Sequence, residues 1–97
     1  MQAQGHAQLI VRLCDYGLNP QAASDAPRWK VIDHNQVLLE QGFDKKVQVE
    51  LLKRGHDILQ HDPDTEIKMG GAQLIVKTDS GYIGGSDHRK DGMAAGF

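Results

Sequence analysis

The residues with which this chain could do chemistry are few: five histidines, one cysteine, two Asp/Arg pairs and a short glycine-serine run. His56 and His61 are the closest histidines in sequence. An offset of five sets two side chains about 140° apart on a helix and on opposite faces of a strand, so the spacing does not make a metal pair. His6, His34 and His88 lie in three separate segments and read as surface or loop residues. The single cysteine, Cys14, excludes an internal disulfide and any cysteine-based zinc site. It falls on an apolar stripe with no electropositive partner, which reads as a buried inert thiol. Gly84-Gly85-Ser86 could cradle an anion, yet glycines after a strand read better as a bend or bulge. Asp87 with Arg89, and Asp25 with Arg28, could each hold a substrate carboxylate. Structural ion pairs are the simpler reading, the first pinning the tail. Asp25, Arg28, Asp87 and Arg89 are therefore candidate structural residues. No catalytic, cofactor-binding or metal-binding residue is assigned, and no cofactor is expected.

The elements that would position these residues are read from periodicity. Ala3, Ala7, Ile10 and Cys14 recur at helical spacing, and Leu9-Ile10-Val11 is apolar all round, so a largely buried helix is expected up to a stop at Gly17. Asn19-Pro20 restarts a short helix over 21–25, with Asn19 as cap and Pro20 at the first position, ended by Ala26-Pro27. Trp29–Ile32 and Gln36–Glu40 form a hairpin about Asp33-His34-Asn35. Asp44 caps a helix with an apolar stripe of Val47, Leu51 and Leu52, stopped by Gly55. Ile58-Leu59 is a short strand, and 62–65 is a loop. Ala72–Thr78 and Tyr82–Gly84 form a second hairpin about Asp79-Ser80-Gly81, before an irregular tail.

That order gives an α+β fold with a mostly antiparallel sheet and helices on one face. Its strands do not alternate cleanly. Ile32, Leu38 and Ile75 oppose Val31, Leu39 and Val76, so both faces need cover.

Ninety-seven residues suit one small domain or a fragment of a larger one, 1–97. Eleven Lys and Arg against thirteen Asp and Glu leave a net charge of -2. A nucleic-acid module would show a basic stripe, and one tryptophan beside Arg28 is not a stacking platform. No apolar run reaches the ~20 residues of a membrane span, and residues 1–8 carry no signal-peptide pattern. Neither nucleic acid nor membrane is expected as a partner, and the compartment is left open between cytoplasm and export.

Three segments are more distinctive: Met1-Gln2-Ala3-Gln4-Gly5-His6, the run from Asp15-Tyr16-Gly17-Leu18-Asn19 to Asp25-Ala26-Pro27-Arg28-Trp29, and Gly84-Gly85-Ser86-Asp87-His88-Arg89-Lys90-Asp91-Gly92. In this order and spacing they resemble the C-terminal part of the small subunit in the γ-glutamyltranspeptidase family. The middle run is similar to that family's D-Y-G-x-N-x-x-x-A-x-x-A-P-R, and the last to its S-D-P-R. Gly70-Gly71-Ala72-Gln73 resembles a family strand start, and Phe97 its final aromatic. His88 departs from the pattern, where the family has proline.

The resemblance implies an N-terminal-nucleophile hydrolase, with a four-layer αββα sandwich and a threonine freed by self-cleavage. That threonine would attack γ-glutamyl amides such as glutathione, activated by its own α-amine and served by an oxyanion hole. Thr65 and Thr78 are internal, and the family's glycine-rich loop lies upstream of the matched region. The expectation is a scaffold-forming half of the small subunit, inactive alone, whose partner is the remainder of the enzyme. The alternative is a stand-alone binding or interaction module without activity. In either case the second sheet faces predict self-association of the isolated chain, as a two-fold dimer.

Overall fold

The computed structural model describes residues 1–64 and 68–96. Thr65, in the expected loop, and Phe97 lie outside them. The chain divides into two compact units, one formed by Pro27–Met69 with Met1, the other by Gln2–Ala26 with Gly70–Phe97.

The first unit is built on β1 (Trp29–Asp33), β2 (Gln36–Leu39), α1 (Lys45–Lys53) and β3 (Asp57–Gln60). β1 and β2 form the expected hairpin, Trp29 opposite Leu39 and Val31 opposite Val37, with a register shift between Val31 and Asp33. His34 turns the chain at φ 44°, a left-handed value that a non-glycine residue takes up only in a turn. β3 then runs parallel to β2, with Val37 opposite Ile58 and Leu38 opposite Leu59. A parallel neighbour requires a crossover, and α1 provides it. The Asp44 side chain accepts from Lys46 N to start that helix, and Gly55, at φ +91°, stops it. Asn35 fastens the end of the crossover to the hairpin turn, its side chain donating to Gly55 O at 2.8 Å and its carbonyl accepting from Asp57 N at 2.9 Å. Val37, Leu38 and Leu39 are all buried, so the central strand is covered on both faces, as its unbroken apolar run requires. The expected stripe on α1 is not buried. Leu51 is half-buried, whereas Val47 and Leu52 are exposed.

The second unit holds α2 (Gln2–Ile10), a π-helical turn over Val11–Asp15, α3 (Pro20–Asp25), β4 (Gln73–Lys77) and β5 (Tyr82–Ser86). The π turn ends at Tyr16, and Gly17 reverses the chain at φ +65°. Asn19 caps α3 through Ala22 N at 2.8 Å, with Pro20 at its first turn. β4 and β5 pair antiparallel in unbroken register from Gln73–Ser86 to Lys77–Tyr82. Two expectations fail here. The stripe Ala3, Ala7, Ile10, Cys14 faces outward, and the buried residues of α2 are Gln8 and Leu9. Cys14 is an exposed thiol, not a buried one. Ala3, Ala7 and Ile10 are already exposed before the π turn in which Cys14 lies, so the helix buries the face of Gln8 and Leu9 and not the one the apolar spacing marks.

Candidate functional site

The candidate residues converge in the second unit, where the chain after β5 meets the C-terminal end of α3. Regular pairing carries β5 as far as Ser86, which sets Asp87 just past the end of the strand. Its carboxylate is wholly buried. Oδ2 accepts from Ala72 N at 2.8 Å, at the start of β4, and Oδ1 accepts from Arg89 N at 2.8 Å and Arg89 Nη1 at 3.1 Å. The side-chain exposures of Arg89 and Asp87 are 13% and 0%. The same guanidinium donates to Ser24 O at 2.9 Å and to Ala26 O at 3.2 Å.

Those two carbonyls belong to the end of a six-residue helix, and the last C=O groups of a helix have no partner within it. Arg12, from the π turn, serves the same end, its Nη1 donating to Ala23 O at 3.3 Å and Ala26 O at 3.4 Å. Two guanidiniums thus cap one helix C-terminus, where the dipole favours positive charge.

The start of α3 is fastened too. Gln21 acts as a backbone surrogate on Ser86, donating from Nε2 to its carbonyl at 2.8 Å and accepting at Oε1 from its N–H at 3.1 Å. Beneath it, a Cβ added at Gly85 would lie 2.9 Å from the Pro20 carbonyl carbon and 3.0 Å from Gln21 N. Gly85 is therefore a close-approach glycine. No bulge occurs at Gly84-Gly85, since the β4–β5 register is unbroken.

Of the two expected pairs, Asp87 and Arg89 are brought together, whereas Asp25 and Arg28 fall in different units and each has hydrogen-bond partners within its own. Asp25 Oδ1 instead meets His88 Nδ1 at 3.2 Å and accepts from Gln21 Nε2 at 3.0 Å. His88, the departure from the family-like motif, thereby ties the tail to α3 in its own way. Arg28, in the other unit, is buried and donates from Nη1 to Met69 O at 3.2 Å, while its N–H donates to Glu40 Oε2 at 2.8 Å. Arg12 and Gln21 are not singled out by sequence reasoning, and Gly85 is read there as a bend or bulge and not as a close approach. A signal is present for Arg12, the one cation in the otherwise apolar run Leu9–Leu13.

This arrangement holds segments together. The buried carboxylate and guanidinium are directed at each other and at backbone groups of Ala72, Ser24 and Ala26. Among the described residues no group of three His, Cys, Asp or Glu side chains could hold a metal ion.

Comparison with known proteins places the whole chain. The family model for gamma-glutamyltranspeptidase matches residues 1–97. The glutathione hydrolase-like YwrD proenzyme of Bacillus subtilis is 33% identical over 99% of this chain, and glutathione hydrolase proenzyme 2 of Schizosaccharomyces pombe is 34% identical over 86% of it. The chain spans only 19% and 13% of those two relatives. Among solved structures, the cephalosporin acylase of Bacillus halodurans superposes with a TM-score of 0.85 at 39% identity, over 94% of this chain and 17% of the acylase. A gamma-glutamyltranspeptidase of Helicobacter pylori gives 0.71 at 26% identity, over 91% of this chain and 48% of that one.

Proposed function

The chain belongs to the γ-glutamyltranspeptidase family, and from that premise we propose that it is a C-terminal, scaffold-forming portion of an enzyme that transfers or hydrolyses γ-glutamyl groups of glutathione-type substrates, and is inactive alone. The clamp formed by Asp87 and Arg89 carries this reading. The most deeply buried charges of the second unit are directed at backbone groups that join α3, β4 and the tail. A catalytic carboxylate or guanidinium needs a face toward substrate, and these are taken up by structure. Thr78 supports the same view. Its amide donates to Gly81 O at 2.7 Å within the β4–β5 turn, so it offers a peptide N–H, not the free α-amine that activates an N-terminal threonine. The relatives' names, glutathione hydrolase and acylase, supply the amide-cleaving class, and the small share of each that this chain spans supports a partner role for the remainder of the enzyme.

The test is release of chromophore from a γ-glutamyl anilide. The purified 97-residue chain should match buffer. A rate proportional to chain concentration, retained through gel filtration, would overturn inactivity.

A further inference from the structure

Asp91 and Gly92 form the one Asp-Gly step of the sequence, and the fold holds both sides of it while leaving the step itself free. On one side Lys90 N donates to Asp87 O at 3.1 Å, and the Lys90 stem lies over Gly71, where an added Cβ would come within 2.6 Å of it. On the other side residues 92–94 lie along the β4–β5 hairpin. A Cβ added at Gly92 would stand 3.0 Å from Ser86 Oγ and 3.3 Å from Gln73 Nε2, and one added at Gly84 would stand 3.0 Å from the Ala94 methyl. Asp91 itself is exposed, at a bend, and Gly92 is exposed too. Among the described residues neither the Asp91 carboxyl nor the Gly92 N–H has a hydrogen-bond partner. Other aspartates are held differently. The amide that follows Asp15 donates to Val11 O and the one that follows Asp25 to Ala22 O, both at 3.1 Å. Asp62 precedes Pro63, which has no N–H, and the Asp87 carboxylate is itself taken up.

We propose that Asp91-Gly92 is a site of spontaneous backbone modification, where the chain's own Gly92 nitrogen converts Asp91 to isoaspartate and thereby loosens residues 92–96 from the hairpin. The nitrogen attacks Asp91 Cγ. The new N–Cγ bond closes a succinimide, and the carboxyl hydroxyl leaves with the amide proton as one water. Water then reopens the ring. Attack at the backbone carbonyl breaks its bond to nitrogen and leaves Gly92 joined through Cγ, an isoaspartyl link, whereas attack at Cγ restores aspartate. One water is lost and one regained, and no electron is transferred, so the product has the mass of the parent. Two features of the structure favour closure here. An amide without a partner has no hydrogen bond to give up before it attacks. Gly92, without a Cβ, neither crowds the ring nor restricts the backbone rotation that closes it. The consequence follows from the anchors. The isoaspartyl link adds one C–C bond, about 1.5 Å, to the path between the turn at 87–90 and the strip at 92–94. Gly92 and Ala94 sit too close to Ser86 and Gly84 to keep their places over that change. The inference does not rest on the enzyme proposed above.

The full chain, aged at neutral pH and 37 °C, tests this. Isoaspartate is read by an isoaspartyl methyltransferase with a labelled methyl donor, and is placed by electron-transfer fragmentation, which breaks the extra Cα–Cβ bond of residue 91. The expected result is a chain of unchanged mass whose methyl-accepting sites grow with time at residue 91. Growth there should be at least fivefold faster than at Asp79, an exposed turn aspartate followed by Ser80. The folded chain should react within threefold of a short peptide of residues 87–96, since the fold does not protect the step. Asp91→Glu, whose longer side chain closes such a ring far more slowly, should abolish the signal. In the separated isoaspartyl form, amide exchange over 92–96 should quicken at least threefold while α2 stays unchanged. The proposal is overturned by isoaspartate that does not form at residue 91, persists in Asp91→Glu, or forms less than fivefold faster than at Asp79. A folded chain more than threefold slower than the peptide overturns it too, as does an isoaspartyl form whose residues 92–96 exchange as in the parent.

Discussion

Arg89→Ala should be among the most damaging single changes available to this chain. The reason is geometric. Asp87 is wholly buried and Arg89 nearly so, and removing the guanidinium leaves a carboxylate without its countercharge. Breaking a buried pair by deleting one partner costs about 3–5 kcal/mol, against about 1 kcal/mol or less for an exposed pair. Two helix-end carbonyls, of Ser24 and Ala26, lose a donor as well. Whole domains are stable by only ~5–15 kcal/mol, so the change removes a large part of the total. With a urea slope of about 1–1.5 kcal/mol/M for a chain this small, the midpoint should fall by roughly 2–5 M. Urea titration followed by far-UV circular dichroism reads this directly. The double variant Asp87→Leu with Arg89→Met removes both charges at once. It should cost less than the sum of the two single changes by about 2 kcal/mol or more. An Arg89→Ala variant within about 1 kcal/mol of the parent, or strictly additive losses in the double, would refute the buried-clamp reasoning.

Other expectations can be checked alongside. Gly85→Ala should destabilise by about 2 kcal/mol, since its Cβ meets the backbone of Pro20 and Gln21. Gly81→Ala, which meets nothing within 4 Å, should stay within about 0.5 kcal/mol in the same titration. Asn19→Ala removes the cap of α3 and should cost about 1 kcal/mol, seen as a melting point lower by about 4–8 °C. Cys14 should be titrated fully by an aromatic disulfide reagent under native conditions, because it is exposed. A thiol that reacts only in denaturant would contradict that.

The elements with strong local chemistry are legible in the sequence. Asn19-Pro20 and Asp44 are caps whose side chains accept from nearby N–H groups, and Gly17 and Gly55 take the positive φ that a helix stop requires. Burial is less legible, because it depends on what lies opposite. The stripe Ala3, Ala7, Ile10, Cys14 is a sound helical pattern, yet its members are exposed, and Gln8 is buried with its Nε2 donating to Gln4 O at 3.0 Å. The site is half legible for the same reason. Asp87 and Arg89 are local, two residues apart across one turn, and sequence brings them together. The partners of Asp25 are set by packing across 63 residues to His88, which no spacing rule reaches. Gly85 escapes sequence reasoning because a strand glycine reads equally as a bulge or as a close approach, and only the position of α3 decides.

The distribution of polar and apolar burial bears on what this chain is for. An independent small domain rests chiefly on an apolar core. Among the described residues the buried apolar ones are few, Leu9, Ala23, Val37, Leu38, Leu39 and Met69, while Ile10, Val49, Leu52, Ile75 and Met93 stand at least half exposed. Charged and amide side chains on backbone groups contribute to long-range order: Arg12, Arg89 and Gln21 in one unit, Arg28 and Asn35 in the other. Directional bonds of this kind fix segments in register but supply little net stability, about 1 kcal/mol each. Exposed apolar surface, by contrast, yields about 25 cal/mol for every Å² removed from water. A chain that sets its geometry with polar ties and leaves apolar faces open gains the rest of its stability from contact. That division supports reading it as a scaffold portion of a longer family polypeptide.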